Sequence, residues 1–70
     1  MRVGLLVTIA RNDYYHFNQN LLNKTGIIIK GPYESEYRKT AKYKEIILVY
    51  DVLIDGKIFE AIPREILTKA

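Results

Sequence analysis

The sequence contains no cysteine and no tryptophan, and it has only two prolines, four glycines, one histidine and one serine among 70 residues. Each shortage excludes something. Without cysteine, neither a disulfide framework nor a Cys-based zinc site can support the fold, and a reducing compartment is the simpler setting, so a cytoplasmic location is expected. His16 alone cannot build a histidine metal set or a proton relay, and Ser35 is the only serine, which leaves little material for a nucleophile and its base. The chain is therefore expected not to be an enzyme and to need no cofactor and no metal. The apolar run "VGLLVTIA" (3–10), with Arg2 before it and Ala10 near its end, faintly echoes a signal peptide, but it is too short and no second hydrophobic segment follows. It reads as a strand, with no membrane role expected. Asn23-Lys24-Thr25 is formally a glycosylation acceptor, expected to stay unmodified in that compartment.

Charge excludes less. Eleven Lys and Arg against eight Asp and Glu give +3, short of the dense positive patch that announces a nucleic-acid binder by itself. Seventy residues make one domain, 1–70, near the lower limit at which a chain buries enough apolar surface to fold unaided. Every element must share one small core.

What the sequence has in quantity is β-branched side chains: ten Ile, four Val and four Thr, stiff at χ1 and suited to a pleated surface. No window of helical length carries an i, i+3, i+4, i+7 apolar stripe, so the chain reads as all-β. Val3, Leu5, Val7 and Ile9 alternate as one face of a first strand, and Leu6 stands alone on the other side. A long first loop follows, "RNDYYHFNQNLLNKT" (11–25), with a helical turn expected near 20–23. The second strand, "GIIIKG" (26–31), does not alternate, which implies cover on both faces or an outer face meant for contact. Gly31-Pro32 is expected to end it, and "YESEYRKTAKY" (33–43) to form a second loop. The third strand, 44–54, has Ile46, Leu48, Tyr50, Val52 and Ile54 on one face.

Asp55-Gly56 between apolar strands signals a two-residue hairpin, because a type I′ turn needs φ > 0 at both central residues. That register pairs Ile54 with Lys57, Val52 with Phe59 and Tyr50 with Ala61, and sets Asp51 opposite Glu60. Facing carboxylates could share a proton or hold a divalent ion. The plainer reading is solvated strand charges, or a pair separated by a bulge at Gly56. Pro63 then starts one 3₁₀ or α turn, "PREI", before a short last strand, "LTKA".

Strand, long loop, strand, loop, strand, tight hairpin, strand, helical turn, strand: this order resembles the SH3-like small barrel over nearly the whole chain. More narrowly, Gly4 in an apolar first strand, "TGIIIKG" and "VLIDGKIFEAIPREIL" are similar to the small SH3-like proteins of unknown function encoded by tailed phages, notably those of marine cyanobacteria. "NKTGIIIKG" also partly resembles the KOW motif of ribosome- and transcription-associated barrels, with Asn23-Lys24-Thr25 in place of the usual glycine-basic lead-in. The resemblance implies a small barrel of about five strands acting as a non-catalytic protein-interaction or structural module. In a phage setting the partner would be a second copy, a phage protein or a host protein, in the host cytoplasm or on the virion.

The residues that could bind are aromatic and basic. Arg11, Tyr14, Tyr15 and Phe17 lie on the first loop; Tyr33, Tyr37, Arg38, Lys39, Lys42 and Tyr43 lie on the second. In SH3-like barrels these loops border one open face, where rings stack on unpaired bases and Lys or Arg meets phosphate, so single-stranded RNA or DNA is the alternative partner. The same residue types grip proteins, or simply pack over a small core. The bare apolar positions at 27–29 and 47–49 favour a protein partner, including a homo-oligomer.

Overall fold

The structure is a computed structural model that describes residues 1–11, 19–38 and 42–70, with only the backbone of Gln19, Tyr37 and Arg38. Five strands form one antiparallel sheet: β1 (Leu6–Ile9), β2 (Thr25–Arg38), β3 (Lys44–Ile54), β4 (Lys57–Pro63) and β5 (Leu67–Lys69), in the spatial order β4-β3-β2-β1-β5. Single 3₁₀ turns occupy Gln19–Leu21 and Arg64–Ile66. The expected all-β fold is present, with the helical turn before the last strand. The sheet is open, and among the described residues no ladder joins its edge strands β4 and β5.

Alternation sets the core. Val7 and Ile9 of β1, Ile28 of β2, Tyr50, Val52 and Ile54 of β3, and Ile62 of β4 point to one side, where Leu21, Ile66 and Leu67 close over them. Leu5, Ile47 and Phe59 pack on this cluster half-buried. Val3 does not continue the β1 face; it sits exposed in a turn ahead of the strand, where Gly4 takes φ +94° and its amide reaches the Ile28 carbonyl at 2.8 Å.

β2 departs most from expectation. Instead of ending at Gly31-Pro32 it runs on to Arg38, so residues 33–38 are strand and pair with Lys44–Val49. Two register shifts, between Ile28 and Lys30 and between Lys30 and Tyr33, absorb the punctuation residues. Gly31 adopts φ +117° there, and Pro32, which has no amide to donate, lies in the stretch where no ladder pair is made. A long β2–β3 ribbon results.

The β3–β4 hairpin has the expected two-residue turn, with Asp55 at φ +51° and Gly56 at φ +78°, and the expected pairs Ile54–Lys57 and Val52–Phe59. Beyond them the register shifts: Tyr50 pairs with Ile62, not Ala61, because Glu60 and Ala61 together oppose Asp51. The bulge thus falls at Ala61, which takes φ +56°, and not at Gly56. As the N-cap residue, Pro63 leads into the turn Arg64–Ile66, whose buried Ile66 anchors the return to β5. The outermost strands are poor templates for another strand, since β4 carries Lys57, the bulge and Pro63 and β5 is three residues long, whereas the β2–β3 ribbon at 33–38 and 44–48 extends beyond the ladders of β1 and β4.

Candidate interaction site

The register aligns four aliphatic side chains on the side of the sheet away from the core. Leu6 pairs with Ile27, Ile27 with Leu53 and Leu53 with Ile58, so one row crosses β1, β2, β3 and β4. Paired residues share a face, and their neighbours Val7, Ile28, Val52 and Phe59 point to the core, which places this row on the outer face. Its ends are bare, with Leu6 54% and Ile58 61% exposed, while Ile27 and Leu53 between them are half-covered. On one flank Thr8 and Thr25 face each other, hydroxyl to hydroxyl at 3.2 Å.

The other flank is polar. Asp51 belongs to the outer side of β3 yet is only 5% exposed, because Tyr33 covers it. Its Oδ1 accepts the Tyr33 hydroxyl and the Ala61 amide, at 2.5 and 3.0 Å. Burial, the hydrogen bond to Asp51 and that carboxylate's charge push the Tyr33 hydroxyl up to about 12. Lys30 lies over the Tyr33 ring, its ammonium 5.0 Å from the centroid. Asp51 is therefore turned to Tyr33 and the bulge amide, while exposed Glu60 sits one step away in the register. Among the described residues no cluster of His, Cys, Asp or Glu could hold a metal ion.

A cleft of about 590 Å³ with a mixed polar and apolar lining lies between the first half of β3 and the Arg64–Ile66 turn, bordered by Met1, Glu45, Ile46, Ile47, Leu48, Arg64, Glu65 and Leu67. Ile46 and Leu48 are 62% and 38% exposed while Ile47 between them packs on the core cluster, so the single apolar face expected for β3 from Ile46 to Ile54 does not extend before Tyr50.

The aromatic and basic rim is only partly described. Arg11 follows β1 and is exposed at the end of the sheet where β2 begins, since Thr8 pairs with Thr25. Lys42 and Tyr43 are exposed ahead of β3, where the backbones of Arg38 and Tyr37 pair with Lys44 and Glu45 at the far end of β2. The described parts of the two segments are thus anchored at opposite ends of β2 and are not brought together. Tyr14, Tyr15, His16, Phe17 and Lys39 lie outside the described residues. Tyr33 belongs to β2 and serves Asp51.

Sequence reading identified the unpaired Leu6 and the non-alternating Ile27–Ile29, but not that β1 to β4 bring Leu6, Ile27, Leu53 and Ile58 into line. The signal was available in the Asp55-Gly56 turn, which alone fixes Leu53 opposite Ile58. No helix among the described residues is long and apolar enough to cross a membrane. Comparison with known proteins finds no matching family model, no matching curated protein and no matching solved structure.

Proposed function

We propose that the chain is a non-catalytic protein-interaction or structural module of the SH3-like small-barrel type, working through the outer face of its sheet. The observation that carries this is the row Leu6–Ile27–Leu53–Ile58. An antiparallel sheet with one solvated face ordinarily alternates apolar-in and polar-out, and a contiguous outer row of aliphatic side chains is the pattern of a surface that meets protein. The strand order and the turn before β5 support the small-barrel assignment. Among the described residues, Asp51 is engaged by Tyr33 and the bulge amide, which supports a structural role for that carboxylate.

The test is affinity capture with a tagged wild-type chain beside the double variant Leu6→Lys/Ile58→Lys. Both positions are exposed, so the variant should keep its unfolding midpoint. Partners, copies of the chain included, that bind wild type and are lost from the variant support the reading; an identical set for both sinks it.

A further inference from the structure

We propose that the occupant of the outer face is a second copy of this chain, packed face to face about a two-fold axis that runs along the strands between β2 and β3. The proposal rests on the interaction reading and names its partner.

Self-complementarity of the row is the main argument. From β1 to β4 it reads Leu, Ile, Leu, Ile. Rotation about an axis along the strands turns one sheet over and reverses the row, so Leu6 of each copy lies over Ile58 of the other and Ile27 lies over Leu53. Every facing pair is then one leucine and one isoleucine, equal in volume, and the two barest side chains cover each other. Isologous contacts of this kind require a patch that complements itself, and this row does so without an ionised side chain.

The polar flank agrees. Lys30 on β2 and Glu60 on β4 are exposed on the same side of the row. Under the same two-fold, β2 of one copy lies over β3 of the other, so Lys30 approaches the side of the partner that carries Asp51 and Glu60. A charged rim around an apolar centre is the usual anatomy of a protein interface.

Area sets the strength. The four strands of the row, spaced about 4.8 Å apart and each contributing four or five residues at about 3.3 Å, make a face of about 300 Å² in projection. Specific interfaces begin at about 600 Å² a side, so a face of this size should pair weakly and reversibly. The chain therefore exchanges between one and two copies over an accessible concentration range.

The experiment is sedimentation velocity over a concentration series with wild type, Leu6→Glu, Ile58→Lys, and an equimolar mixture of these two variants. Wild type should shift from monomer to dimer, and each variant alone should stay monomeric with an unchanged unfolding midpoint. The mixture should recover the dimer, because one pairing sets the new glutamate over the new lysine and the other keeps Leu6 over Ile58. A mixture that stays monomeric overturns the two-fold. A wild type that stays monomeric throughout overturns the second copy as occupant, while the capture experiment decides the interaction reading separately.

Discussion

The Tyr33 hydroxyl donates to Asp51 Oδ1 across the β2–β3 ribbon, and the same oxygen holds the amide of Ala61 on the far side of β3. One carboxylate thus ties together three strands at the two places where the ladder is irregular: the shift after Lys30 in β2 and the bulge in β4.

Asp51→Ala should destabilise by about 2–3 kcal/mol, since it leaves a buried amide and a phenol without their charged acceptor. Asp51→Asn keeps an oxygen in place and should cost less. Urea unfolding followed for both variants checks this order, and equal midpoints would show that the carboxylate is not what holds the bulge.

Alkaline pH should weaken the fold through Tyr33. Its folded pKa of about 12 lies above the ordinary 10.0, so its contribution to stability is complete below pH 10 and is lost as pH rises toward 12. Phenolate absorbance should show Tyr33 ionising late, and Tyr33→Phe should remove that step while flattening the loss of stability between those two values.

Two glycines should fail for different reasons. A methyl group at Gly26 would run into the Leu53 carbonyl and the Val52 and Ile54 side chains, whereas at Gly56 it would meet nothing and the obstacle is φ +78° alone. Gly26→Ala should therefore cost about 1–3 kcal/mol or more through overpacking. Gly56→Val should cost about 1–3 kcal/mol through backbone strain. Thermal unfolding of both variants checks this: an unfolding midpoint equal to wild type for Gly26→Ala would refute the clash with the Leu53 carbonyl, and one for Gly56→Val would refute the strained turn.

Oligonucleotide binding should be weak. Were Arg11, Arg38, Lys39 and Lys42 to contact four phosphates of a single strand, affinity would fall with salt at a log–log slope of about −3, and Tyr15→Ala or Tyr43→Ala would remove stacking worth about 1–3 kcal/mol per base. A net charge of +3, with Arg11 and Lys42 anchored at opposite ends of β2, makes a shallow field for such a ligand. Submicromolar binding at physiological salt, measured by fluorescence anisotropy, would make nucleic acid the primary ligand.

Local chemistry made the hairpin at Asp55-Gly56 and the turn after Pro63 legible in the sequence, because φ > 0 and a fixed φ are properties of single residues. The continuation of β2 was not legible. Gly31-Pro32 is punctuation in isolation, and only the pairing of 33–38 with β3 makes it an irregularity within a strand. The bulge at Ala61 was hidden for a related reason. Alanine has no preference for positive φ, and its conformation follows from a carboxylate ten positions earlier. The outer row was half legible: Leu6 and Ile27 stood out as misplaced, but the row forms only once three registers are added together.

The guarded edges bear on what crowding can do to this chain. A protein that recruits copies through an open strand edge offers a fresh edge after each addition, and growth then has no natural end. Here Lys57, the kink at Ala61 and Pro63 make β4 unfit for that, and three residues make β5 too short. Association through a face is different in kind, because the second copy uses up the surface that attracted it. Pairing through this face, as proposed, would therefore stop at two copies, since it leaves no second row of the same kind exposed.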